Sequence, residues 1–161
     1  VVSMLYATGM RASELLGLNV YDVDLGNSLV TVLGKRNKQR RIPMLPELKL
    51  CIEDYLRVRA QVMKNGVDED ALFLSERSGK RIGYGKLRLL VRESLGKVTM
   101  QSKRSPHVLR HSFATSLLNN SADLQSVKEL LGHESLKTTA IYTHTTFEEL
   151  KKLYNQAHPR A

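Results

Sequence analysis

Residues 22–44 read DVDLGNSLVTVLGKRNKQRRIPM, and this stretch decides the fold class. Asp22-Val23-Asp24-Leu25, Leu29-Val30-Thr31-Val32-Leu33 and Arg41-Ile42-Pro43-Met44 are short runs with strand character. Gly26-Asn27-Ser28 and the segment Gly34 to Arg40 separate them with turn-forming residues, so three strands of a small antiparallel sheet are expected. The rest of the chain has helical periodicity. Helices are expected over 2–16 (interrupted or turned at Gly9), 46–63, 83–95, 106–119, 123–131, 136–144 and 147–156. The class is therefore α+β, predominantly helical.

Several boundaries carry punctuation. Pro106 suits a first helical turn, where its missing N–H has no partner to lose. Ser121 or Asp123 can cap the helix bearing Leu124, Val127, Leu130 and Leu131, and Gly132 can end it in a left-handed conformation. The two long connections, around 65–70 and 96–105, are acidic and basic respectively.

The 161 residues suffice for one domain with a proper core. Lysine and arginine number 25 against 16 acidic residues, a net charge of +9. A field this positive favours a polyanionic partner, nucleic acid first, with solubility charge as the plain alternative. The single cysteine, Cys51, excludes an internal disulfide framework and a multi-cysteine metal site. It shares helical spacing with Leu48, Ile52, Tyr55 and Val62, so a buried core position is expected. No apolar run approaches a membrane span and no signal-peptide pattern opens the chain, so a cytoplasmic setting is expected. The start at Val1, without Met, leads us to expect a piece of a longer protein.

The chemistry is carried by His107-Val108-Leu109-Arg110-His111, Leu130-Leu131-Gly132-His133 and Ile141-Tyr142-Thr143-His144. His107 and Arg110, three apart on a helix, share a face, while Leu109, Phe113 and Leu117 point to the core. Arg11 and Glu14 repeat that spacing on the first helix. Two guanidiniums suit a phosphate because each offers a planar fork of donors and stays charged. Tyr142 is the candidate nucleophile; its phenol, with a free pKa of about 10, needs a base or a strongly positive pocket. A histidine can be that base, and Lys35, at the tip of the expected hairpin, can protonate a leaving oxygen. Each residue has a duller reading when taken alone. Tyr142 could be surface packing, Arg11 with Glu14 a helical ion pair, and the basic hairpin a solvated face.

Taken together and in order, the blocks ATGMRASELLGL, GKRNKQRRIP, HVLRHSFAT, LLGHESLKTTAIYTH and HPRA resemble the catalytic domain of the tyrosine recombinases, above all the Xer type. The resemblance runs from residue 7 to residue 161. It implies an integrase-type catalytic core over 1–161, with the family's N-terminal core-DNA-binding domain absent and the catalytic domain's extreme N-terminal part clipped. It implies that Arg11 and Arg110 clamp the scissile phosphate, Lys35 is general acid, His107 general base or proton relay, and His133 a donor to the phosphate. Tyr142 would form a 3′-phosphotyrosine link, and Glu14 would help hold Arg11. His144 falls outside this set. Arg36 stands where relatives often carry Gly.

The implied partners are double-stranded DNA and homologous protomers of a synaptic tetramer, joined through a C-terminal helix with Phe147, Leu150, Leu153 and Tyr154 on one stripe. That stripe could equally close the domain's own core. Arg36, Lys38, Arg40, Lys103 and Arg104 are expected to hold DNA phosphates and not to read bases. No metal, ATP or cofactor is implied, no membrane, and the setting would be the bacterial nucleoid. A mobile-element integrase would share the chemistry. A DNA-binding module that kept the fold without catalysis is the alternative from another class.

Overall fold

The computed structural model describes residues 1–34, 37–62, 70–98, 100, 104–119, 127, 131 and 132. Helix α1 (Val2–Thr8) and helix α2 (Ala12–Gly17) are separate, broken at Gly9. Gly9 has φ +59, a left-handed value that glycine adopts without the Cβ clash of other residues, and its N–H caps α1 through the Leu5 carbonyl. The Thr8 hydroxyl donates to Met4 O at 2.6 Å and accepts from Met10 N at 3.3 Å, which fixes the corner.

Three strands follow: β1 (Val23–Asp24), β2 (Leu29–Leu33) and β3 (Gln39–Pro43). They form an antiparallel sheet in the order β1-β2-β3, as the turn residues led us to expect. Val30 pairs with Val23 on one side and Ile42 on the other, and Val32 pairs with Arg40. Val30, Val32 and Ile42 are fully buried, so one face of the sheet is core.

A 3-10 turn (Val20–Asp22) leads into β1, and helices α3 (Pro46–Val62), α4 (Tyr84–Gly96) and α5 (Pro106–Asn119) complete the described elements. The main core joins Met4, Leu5, Leu15, Leu18, the buried sheet face, Leu48, Ile52, Leu72, Leu87 and Leu109. A second cluster seals α5 with Leu45, Phe113, Leu117, Val127 and Leu131. Pro106, Leu109, Phe113 and Leu117 are buried along α5, matching the stripe read from the sequence.

Two expectations need correction. Cys51 is exposed. The inward stripe of α3 is Leu48, Ile52, Tyr55 and Arg59, and Cys51 stands one residue, about 100°, away from Ile52. Arg59 is buried and donates Nε and Nη2 to the Ala71 carbonyl at 3.0 and 2.8 Å, an inward role for a charged residue near the helix end. Arg11, in turn, does not lie on a helix. It is the N-cap of α2, with extended backbone at φ −72 and ψ 152. The helices expected beyond 120 lie almost wholly outside the described residues.

Candidate active site

The site is assembled where the α1–α2 corner meets β3, α5 and residues 131–132. Glu14 is the third residue of α2, and its carboxylate reaches back to the Arg11 backbone N–H at 2.7 Å, satisfying a donor that the helix leaves unpaired. The Arg11 Nη1 donates to Glu14 Oε1 at 3.0 Å. Arg40, from β3, grips the same carboxylate at two points: Nη1 to Oε1 at 2.7 Å and Nη2 to Oε2 at 2.9 Å. The Glu14 side chain is only 3% exposed, that of Arg40 9%, and that of Arg11 39%. Arg11 is the member of this trio that faces outward.

Arg110 comes from α5. Its Nη1 donates to Gly9 O at 2.7 Å and its Nη2 to Leu131 O at 2.8 Å. Arg11 Nη2 donates to Gly132 O at 3.1 Å. The two arginines thus hold adjacent carbonyls of one segment, a partner that suits cations because helix C-termini carry negative partial charge. Gly132 is in the left-handed conformation, φ +64, as expected.

The electrostatics follow from three guanidiniums around one carboxylate. Burial and the charges of Arg11 and Arg40 push the Arg110 pKa down to about 10, while Glu14 pulls it upward. Burial pushes Glu14 up, but the hydrogen bonds from Arg40 and from the Arg11 backbone outweigh it, and the carboxyl stays below its ordinary value. Among the described residues, two positive charges remain in excess. Forked donors around such a cluster match a phosphate.

The structure brings Arg11, Glu14 and Arg110 together, with His107 one turn before Arg110 and exposed at the start of α5. Lys38 is exposed on the β2–β3 hairpin, and Arg104 lies half-buried with its Nη1 close to Gly96. Arg40 departs from the expected role of an outward phosphate contact, being turned inward onto Glu14. Strand alternation explains this: Ile42, two residues on, is fully buried, and residues two apart share a face. Lys35, Arg36, Lys103, His133, Tyr142, His144 and the stripe from Phe147 to Tyr154 lie outside the described residues.

Residues 1–149 match the sequence model of the phage integrase family. The tyrosine recombinase XerC of Lactobacillus leichmannii is 45% identical over 161 residues, covering 99% of this chain and 54% of that protein. Among solved structures, the XerA recombinase superposes with a TM-score of 0.75 at 38% identity, over 99% of this chain and 57% of that one. The XerH site-specific recombinase bound to its difH substrate gives 0.72 at 29% identity, over 95% of this chain and 45% of that one. The chain spans about half the length of the curated relatives it matches.

Proposed function

The chain belongs to the phage integrase family, and from that membership we propose that it is the catalytic part of a tyrosine-type site-specific DNA recombinase of the Xer kind. The observation that carries this reading is the convergence of Arg11 and Arg110 on adjacent carbonyls at 131 and 132, beside a carboxylate shared with Arg40. Preorganised guanidiniums of this kind stabilise charge that develops on phosphoryl oxygens, at no reorganisation cost during the reaction.

In the proposed reaction the Tyr142 oxygen attacks the scissile phosphorus. The P–O5′ bond breaks and a 3′-phosphotyrosine bond replaces it. His107 takes or relays the phenolic proton, and Lys35 gives one to the departing 5′ oxygen. His133 donates to a phosphate oxygen alongside the two arginines. A 5′-hydroxyl of a partner duplex then reverses the step, so one ester replaces another without net loss of bonds. Lys38, Arg36, Lys103 and Arg104 hold flanking phosphates, which would make affinity fall steeply with salt. We place the reaction in the bacterial cytoplasm, at the nucleoid.

The test is covalent trapping on a nicked suicide duplex, recovered by binding selection from a random pool, with EDTA present. A denaturation-resistant adduct with wild type and none with Tyr142→Phe supports the reading; no adduct from this chain or from the full natural protein carrying it sinks it. The C-terminal stripe is proposed to dock on a neighbouring protomer in a synaptic tetramer. Truncation from Leu150 in the full natural protein should then lower recombination far more than half-site binding. Equal loss of both would refute the docking.

A further inference from the structure

We propose that Arg40 is a positioning residue of the phosphate clamp: by occupying both oxygens of Glu14 it keeps that carboxylate from closing on Arg11. The inference rests on the reaction proposed above and concerns the same site.

Glu14 is buried and has two oxygens to satisfy. Arg40 covers one with each nitrogen of its fork, at 2.7 and 2.9 Å. Arg11 contributes only Nη1 to one of them, at 3.0 Å, and its backbone N–H to the other. A carboxylate buried to this degree must be paired. With Arg40 removed, the cation left on Glu14 among the described residues is Arg11, one hydrogen bond short of a two-point grip of its own. Losing the Arg40 charge halves the positive excess, and that grip would draw the outward guanidinium of Arg11 inward, leaving Arg110 as the clamp arginine still available to the phosphate. A lysine at 40 would restore the charge but not the fork.

Arg40 also braces the segment that Arg11 and Arg110 hold. A Cβ built on Gly132 would lie 3.0 Å from Arg40 Nη1, 3.2 Å from Cζ and 3.3 Å from Nε. The guanidinium is therefore packed directly against the Gly132 backbone, whose carbonyl Arg11 holds. One side chain thus touches both anchors of Arg11.

The experiment uses the full natural protein carrying this sequence, with Arg40→Met, Arg40→Lys and the double variant Arg40→Met/Glu14→Gln. Each is assayed for covalent adduct on ordinary DNA and on DNA with a neutral methylphosphonate at the scissile position. Arg40→Met should form adduct about 100-fold more slowly on ordinary DNA, the scale of losing one preorganised donor, with Arg40→Lys intermediate. The deficit should shrink on the neutral linkage, and the double variant should recover most of the rate because no carboxylate remains to capture Arg11. A merely structural arginine would give the same deficit on both substrates. The double variant leaves no unpaired buried carboxylate, so it keeps the question open to test even where Arg40→Met does not fold. Wild-type rates from Arg40→Met overturn the proposal and leave the recombinase reading intact, as does a double variant no faster than Arg40→Met with an equal deficit on both linkages. No adduct from wild type on ordinary DNA overturns the recombinase reading and, with it, the proposal.

Discussion

Arg110 Nη1 donates to the carbonyl oxygen of Gly9 at 2.7 Å, joining residues 101 positions apart. The contact needs Gly9 in its left-handed turn, because that turn aims the carbonyl at α5 while α1 and α2 part. It also needs Gly9 to lack a side chain. A Cβ there would run into the Phe113 ring and come within 2.9 Å of Leu131 Cδ2.

Gly9→Ala should therefore be among the most damaging single-methyl changes in the chain. A left-handed alanine costs about 1–2 kcal/mol, and forcing a methyl into a packed core adds about 1–3 kcal/mol. Urea denaturation should show a loss of roughly 3 kcal/mol. A loss under about 1 kcal/mol would mean that α5 can slide away from the corner, contrary to its buried Phe113.

Glu14 should give the fold an acid-sensitive component. Its folded pKa lies below the ordinary value of 4.5, where Arg40 and the Arg11 backbone outweigh the upward push of burial. The stabilisation is thus fully present above about pH 4.5 and is lost as pH falls through the depressed folded value. Glu14→Gln should be less stable than wild type at pH 7 and lose less on acidification below 4.5. Parallel stability curves for the two proteins between about pH 5 and 2 would contradict the linkage.

Much of this architecture is legible because it is written in local patterns. The sheet follows from turn residues between β-branched runs, the α1–α2 break from Gly9, and the inward stripe of α5 from its spacing. Arg11 and Arg110 can be named together from their sequence blocks, but their shared segment at 131–132 is long-range and has no local signature. Cys51 departs from its expected place because an apolar set spread over α3 fits two stripes about 100° apart, and only packing chooses between them. Arg40 departs for a different reason. A basic run suggests solvent, whereas the period-two rule, started from Ile42, already turns Arg40 inward.

The excess positive charge of the site predicts stabilisation by small anions. Burial and the neighbouring charges of Arg11 and Arg40 hold Arg110 down to about 10, so an arriving anion relieves repulsion. Inorganic phosphate at about ten times its dissociation constant should add about 1.4 kcal/mol, a rise of a few degrees in Tm over chloride at matched ionic strength. Arg110→Gln should lose that difference. The group adds no pH dependence below about 10; above that the unfolded chain holds the proton longer, so its contribution to stability rises. An equal phosphate effect in the Arg110→Gln variant would assign the stabilisation to the general surface.

Gly132 and Gly85 provide a matched pair of glycine substitutions. Gly85 sits in the second position of α4, where an added methyl would meet no described atom within 4 Å, so Gly85→Ala should stabilise by about 0.5–1 kcal/mol. Gly132 has φ +64 and lies under an arginine that Glu14 holds at two points, so the neighbour cannot swing aside as an exposed side chain would. Gly132→Ala should cost about 2 kcal/mol, mostly backbone strain. A displaced Arg40 frees Glu14 to close on Arg11, and the shifted Gly132 carbonyl moves the other anchor of Arg11, so adduct formation should fall further than DNA affinity does. Thermal denaturation of the two variants beside a half-site binding and cleavage assay checks this. Equal effects of the two substitutions, or loss of binding in step with cleavage, would show that Arg11 does not depend on the close approach of Arg40 to Gly132.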